Sequence, residues 1–293
     1  MDGILASTLI YGLVSAATLL LTAVGFSLTF GLSGVANFAH GGFYLLSGFT
    51  AWMLMAKLGL PFLLAAAITV LLMFVLGALL YRVVVMPVRG IVLSEVISTF
   101  AVGVAIIELF RWKGFTTYDY ALPELVEGSV ELLGVSVDWQ RLLIVGIALG
   151  LTLGLWAFTH WTKIGLALRG MSQDEYTALT VGIESDWAAT LSLAIGSALA
   201  AVAAVVLLPL GIISINSGYD ALLVALAVTV LGGLESTAGM IVGSLLLGFA
   251  TTFTANYLGP RWGEVVYLGA IVLVLAFRPS GLFGASKELE ERV

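Results

Sequence analysis

One pattern runs through the whole chain: a block of roughly 20 apolar residues, a short polar or glycine-rich interruption, then another block. As an α-helix, about 20 residues rise about 30 Å, the thickness of a bilayer's hydrocarbon core. The expected fold is therefore an all-α polytopic membrane protein, one transmembrane domain over residues 1–293 with about eight transmembrane helices. Composition agrees: at 60% hydrophobic and 10% charged residues, the chain has too little polar content to coat a water-soluble globule of its size. Its mean hydropathy is +1.12. The formal net charge of −6 comes mostly from acids in polar segments, so it points neither to nucleic acid nor to a charged cargo. There is no cysteine, which excludes disulfide and thiol chemistry. The opening MDGILAST lacks the basic region of a cleaved signal, so the first block is expected to stay as a span.

Two interruptions stand out because glycines, not charged loops, make them. Gly31 to Gly42 reads GLSGVANFAHGG, and residues 232–237 read GGLEST. Non-helical backbone at membrane depth is tolerated only where protein buries it or water reaches it. Asn37 and His40 in the first break either line a transport path or bond the backbone that the break frees. Glu235 and Ser236 in the second are candidates for the same path. Each break is followed by a similar helix start, GFYLLSGF from Gly42 and GSLLLGF from Gly243, a faint echo of the paired broken helices in repeat-built carriers.

Between the breaks, residues 91–110 carry a polar face. Ser94 and Ser98 form one row at four-residue spacing, and Glu95 and Thr99 form the adjacent row. Glu95 is either a path carboxylate or a group near the span's inner end that snorkels or pairs with Arg89. Arg111 to Gln140 is the main aqueous excursion, with a short hairpin expected around Gly134 and a local pair between Glu108 and Arg111. In the following span, Gly146, Gly150 and Gly154 form a stripe that admits another helix closely. His160, beside Trp161, reads as an interface residue.

The segment Thr162 to Gly182, TKIGLALRGMSQDEYTALTVG, is the polar stretch with a full helix start and stop. Ser172-Gln173-Asp174-Glu175 fits a capping box, Asp174 and Glu175 suit the positive helix end, and Gly182 supplies the stop. A helix of about two and a half turns is expected, too short and polar to span. It is either a surface connector or a docking element for a soluble partner. No phosphate-cradling Gly-x-x-x-x-Gly-Lys-Ser/Thr loop is present, so nucleotide energy would have to come from another subunit. Placing residues 162–185 in the cytoplasm puts Arg82, Arg89, Lys163, Arg169, Arg278, Lys287 and Arg292 inside, and Lys57, Arg111, Lys113, Arg141 and Arg261 outside. Residues 111–140 then form a periplasmic loop.

NFAHGGFYLLSGF (Asn37 to Phe49), TKIGLALRGMSQDEYTALTVGI (Thr162 to Ile183), VLGGLESTAGMIVGSLLLGF (Val230 to Phe249) and FRPSGLFG (Phe277 to Gly284) closely resemble, in that order, the LivH-type permease subunits of branched-chain amino-acid ABC importers. The resemblance implies a non-enzymatic permease of a bacterial or archaeal cytoplasmic membrane. Its implied partners are a second, LivM-type permease, cytoplasmic ATPases that use ATP and Mg, and a periplasmic solute-binding protein, with no cofactor on this chain. It also implies an ATPase-coupling role for Arg169, Ser172, Asp174, Glu175, Ala178, Leu179 and Gly182. A path lined by Ser, Thr, Asn and backbone groups suits a zwitterion, and would suit urea or short amides too. The rival reading is an ion-coupled carrier acting alone, with Glu95 or His40 as its proton site.

Overall fold

A chain in hydrocarbon satisfies its backbone most simply by closing every bond within a helix, and the apolar blocks fold accordingly. The computed structural model describes residues 2–115, 120–233 and 236–284. Before residue 162 come α1 (Asp2–Ser33), α2 (His40–Leu58), α3 (Phe62–Leu80), α4 (Val92–Trp112) and α5 (Trp139–Trp161). The segment Thr162 to Gly182 holds α6 (Lys163–Gln173) and α7 (Glu175–Thr180). After it come α8 (Ser185–Leu207), α9 (Ser217–Gly232), α10 (Thr237–Tyr257) and α11 (Gly263–Phe277). Among the described residues, six stretches are long and apolar enough to cross a membrane: Leu5–Ser33, Phe62–Val88, Val92–Trp112, Trp139–Trp161, Ser185–Leu210 and Thr237–Tyr257. The apolar α9 and α11 are shorter. The chain is a multi-pass membrane protein. Glu235, Lys287 and Arg292 lie outside the described residues.

At the bundle centre, α1 packs on α5, α8, α9 and α10, and α8 is buried for most of its length between α1, α2 and α3. Leu21, Ala23 and Phe26 of α1 and Leu193, Ala200 and Ala204 of α8 are sealed from solvent. Close approach explains two glycine pairs. A Cβ on Gly25 would stand 2.5 Å from the Gly196 carbonyl oxygen, and one on Gly41 would collide with the Gly218 carbonyl. By contrast, α3, α4, α5 and α11 turn leucines such as Leu63, Leu71, Leu149 and Leu153 outward, which suits contact with acyl chains. Among the described residues, nothing lies within 4 Å of a Cβ built on Gly146, Gly150 or Gly154, so the stripe of α5 is not packed against the described helices.

The first break is narrower than Gly31 to Gly42, because α1 continues through Ser33 and α2 already begins at His40. His40 Nε2 bonds the Thr22 carbonyl oxygen at 2.9 Å. Thr22 lies eleven residues before Ser33, so residues 34–39 turn back along α1. This re-entrant stretch buries Val35, Asn37 and Ala39.

At the bundle end that holds the long excursion, β1 (Ser129–Leu132) and β2 (Val135–Asp138) pair antiparallel through a turn at Leu133 and Gly134. Both turn residues have positive φ, 52° and 77°, as a tight two-residue hairpin of this hand requires. This is the hairpin expected around Gly134. The Tyr11 hydroxyl donates to the Ser136 carbonyl at 2.8 Å, and the Ile213 amide donates to the Tyr120 carbonyl at 2.7 Å, tying the excursion to the helix ends. Glu108 and Arg111 pair at 2.7 Å, as expected.

Leucine placed at Gly41 or Gly196 must push two backbones apart, with an overpacking cost of about 1–3 kcal/mol or more. Gly41→Leu and Gly196→Leu should lower the thermal unfolding midpoint of the detergent-solubilised chain by several degrees, roughly as a cost of that size predicts. Gly150→Leu, with open space before it, should leave that midpoint unchanged.

Candidate functional site

The segment Thr162 to Gly182 folds as two helices rather than one. Thr162 opens α6, its hydroxyl oxygen accepting from the Gly165 amide at 3.0 Å. One face of α6, Gly165, Leu168 and Met171, is buried, and Leu168 and Met171 share a small core with Leu32 of α1, Ala178 of α7 and Ala188 of α8. At Asp174 the backbone becomes extended, with φ −152° and ψ 98°, and α7 starts again from there.

The expected capping box is therefore corrected. Asp174 is the cap, its Oδ1 accepting from the Thr177 amide at 3.0 Å and its Oδ2 from the Thr177 hydroxyl. Ser172 stays inside α6 and donates to the Arg169 carbonyl at 2.9 Å. Asp and Ser cap equally well, and the buried Met171 keeps the chain helical past Ser172, so the cap falls two residues later. Gly182 is the stop that its residue type suggested: its φ is +86°, its amide donates to Leu179, and the Ile183 amide reaches back to Ala178. Ala178 faces inward, while Tyr176 (80% exposed), Leu179 and Val181 (72%) face out.

Beside α6 lies a cavity of about 630 Å³ between α1, α5, α6 and α10. Hydroxyls line it from every side: Ser27 of α1, Thr152 and Thr159 of α5, Ser172 of α6, and Ser236 and Thr237 at the start of α10. Trp156 and His160 add a stacked aromatic pair with centroids 4.8 Å apart, and the His160 Nδ1–H donates to the Trp156 carbonyl at 2.7 Å. Arg169 is the basic side chain on the wall, and no described lining residue carries a carboxylate. A smaller recess of about 240 Å³ opens on the other side of the α6 end, so Ser172 and Gln173 border both spaces. At the hairpin end, a third space of about 400 Å³ is lined by Ser15, Thr18, Arg141, Thr251 and Tyr267. Between its level and that of the large cavity, Leu20, Leu21 and Ala23 of α1 are buried.

Of the path candidates, Ser236 reaches the large cavity. Of the other described candidates, none is among the residues lining that cavity, and Asn37, His40, Glu95, Ser98 and Thr99 bond backbone. Asn37 Oδ1 accepts from the Ala39 amide at 3.1 Å, and the Thr99 hydroxyl bonds Ala36 and Phe38 of the break. His40 is buried against Thr22. Glu95 accepts from the Gly90 amide at 2.8 Å ahead of α4, while Ser94 and Ser98 are half-buried on the adjacent row. Arg89 does not pair with Glu95: it donates to Asp186 at 2.6 Å and to Tyr81 at 2.9 Å, clamping the ends of α3 and α8 together. The sequence reading missed Ser27, Thr152 and Thr159. A usable signal was there, since Thr152, Trp156, Thr159 and His160 recur at helical spacing on α5.

The family model described as branched-chain amino acid transport system / permease component matches residues 8–275. The chain belongs to this permease family. The high-affinity branched-chain amino acid transport system permease protein BraD of Pseudomonas aeruginosa is 33% identical over 292 residues, 94% of each chain. The permease protein LivH of Salmonella typhimurium is 31% identical over 290 residues, 93% of each chain. The structure titled PsaBC from Streptococcus pneumoniae in complex with Fab shares the fold at TM-score 0.50 and 16% identity over 94% of both chains. The family match spans all of the described cavity lining except Phe283, and all of residues 162–182.

The Asp174 cap makes a pH prediction. Hydrogen bonds from the Thr177 hydroxyl and amide hold its carboxyl below the ordinary value of 3.8, against a smaller desolvation effect. A carboxylate with a depressed folded pKa stabilises above its ordinary value and stops doing so as pH falls through the folded one. Protection of the Thr177 amide, corrected for intrinsic exchange, should persist from neutral pH down to that value and vanish below it. Asp174→Ala should abolish this protection at neutral pH, Asp174→Asn should keep most of it, and Ser172→Ala should not affect it.

Proposed function

We propose that the chain is the membrane-embedded permease subunit of an ATP-driven importer of branched-chain or related neutral amino acids. Relatedness above 30% identity over nearly the full length of chains named for that transport carries the reading. The physical features support it. The chain has hydroxyl-lined spaces toward opposite ends of the bundle with packed residues between them, as alternating access requires. It has no phosphate-binding loop, so ATP and Mg belong to partner subunits.

In this reading α7 is the point of contact with the ATPase. Its outward face carries Tyr176, Leu179 and Val181, apolar groups exposed at the end of a capped helix. Its inward Ala178 shares a core with α6, and α6 forms part of the large cavity's wall. Movement of α7 by ATP binding would pass through α6 to the cavity without a long relay. The coupling-segment end then faces the cytoplasm, and the hairpin end faces the periplasm of a prokaryotic cell and receives cargo from a solute-binding protein. A second, LivM-type permease completes the membrane part, and the open stripe at Gly146, Gly150 and Gly154 gives it a place to approach.

Reconstitution with ATPase, second permease and binding protein tests the proposal. Leucine-loaded binding protein should stimulate ATP hydrolysis and drive leucine uptake, and the urea-loaded protein should not. Uptake by this chain alone under a proton gradient, without nucleotide, would overturn it. Tyr176→Asp with Val181→Asp should cut ATP-driven uptake by about tenfold or more, the loss expected when two buried interface contacts of about 1 kcal/mol or more each are removed. Membrane insertion should be unaffected.

A further inference from the structure

The large cavity offers opposite charges to the two ends of a zwitterion. Arg169 projects from α6 one turn before Ser172 and Gln173, and all three line the same space. Among the described residues its guanidinium has no ion-pair or hydrogen-bond partner, unlike Arg89, Arg111 and Arg141, each held by a carboxylate. Around it the described wall supplies hydroxyls and apolar surface but no carboxylate. The start of α10 lines the cavity as well, and its first turn adds positive partial charge. Gly31 and Leu32 in the last turn of α1 line the cavity too, and helix carbonyls there supply negative partial charge. Leu28, Leu155 and Met240 provide an apolar wall.

We infer that Arg169 anchors the carboxylate of the transported amino acid. The ammonium group then turns toward the carbonyl end of α1 and the aliphatic side chain lies on the apolar wall. This rests on the import reading and deepens it, since it makes a residue of the coupling segment touch cargo. The cavity's volume lies within the range that encloses small ligands. A guanidinium suits the role because it stays charged and matches a carboxylate with two parallel donors. Because Arg169 rides on α6, any displacement of that helix moves the anchor, so cargo release and ATPase-driven motion share one element.

The absence of native cysteine permits a direct test. Ser172→Cys, one turn from Arg169, is reacted in membranes with a negatively charged sulfonatoethyl and a positively charged trimethylammonioethyl methanethiosulfonate, each rate normalised to free thiol in solution. The anionic reagent should react about tenfold faster, at the low end of electrostatic focusing in a charged cleft. In Ser172→Cys with Arg169→Gln the two rates should converge, and with Arg169→Lys the preference should survive. Leucine and isovalerate should slow labelling in the Arg169 background, and leucinamide, which lacks the carboxylate, should not. An anion preference indifferent to Arg169, or protection by leucinamide equal to that by leucine, would overturn the assignment. Leucine uptake by the assembled transporter, measured in parallel, separates the two ideas. Uptake without Arg169-dependent protection sinks the anchor alone, and absent uptake sinks the import reading.

Discussion

Backbone amides and carbonyls cannot go unbonded in hydrocarbon, and this constraint organises the molecule at the points where its helices stop. Residues 34–39 leave helical conformation inside the bundle, and their groups are met by Asn37 from within and by Thr99 from α4. At the second break, the Leu231 and Gly232 carbonyls at the end of α9 accept from the amides of Leu282 and Phe283. A carboxy-terminal strap within FRPSGLFG thus closes a gap opened some fifty residues earlier. In both cases a distant segment bonds what the break exposes, so each break holds one defined geometry.

That division of labour separates structural polar residues from those free to meet a solute. Asn37, His40, Glu95 and Thr99 are occupied with backbone, and Arg89 is occupied with Asp186 and Tyr81. Among the polar groups that open onto space are the hydroxyls of α1, α5 and α10 around the large cavity, with Arg169 beside them. Hydroxyls such as Thr152 and Thr159 also bond their own helix carbonyls, which lets them sit in an apolar helix without a buried unmet donor. They remain acceptors toward the cavity.

The coupling segment links the two halves of the proposed mechanism because it is short and shared. Its second helix is held to the first by the buried pair Met171 and Ala178, and the first packs on α1 and α8 through Leu168. In the proposed mechanism, a soluble partner pressing on the exposed face of α7 would act on the cavity wall through the α6–α7 core, not through the whole bundle. The extended residue Asp174 separates the two helices.

Much of this was legible in the residues. Periodic apolar blocks fix helices at membrane length, glycine clusters mark where helices stop, and Leu133-Gly134 between alternating residues marks a hairpin, because each of these is decided by local backbone physics. The stop at Gly182 is local in the same way. The cap at Asp174 was misread by two residues because Ser and Asp compete equally there, and burial of Met171, a tertiary matter, decided between them. Which polar residues face the cavity could not be read locally at all. Ser27, Thr152, Arg169 and Ser236 come from four helices far apart in sequence, and only their packing turns those side chains toward one space. The sequence by itself determined that the chain is a helical membrane protein with two interrupted helices and a capped polar segment. The tertiary structure alone decided which polar groups satisfy the interruptions and which remain for a solute, because a hydrogen-bond partner 61 residues away leaves no trace in local spacing.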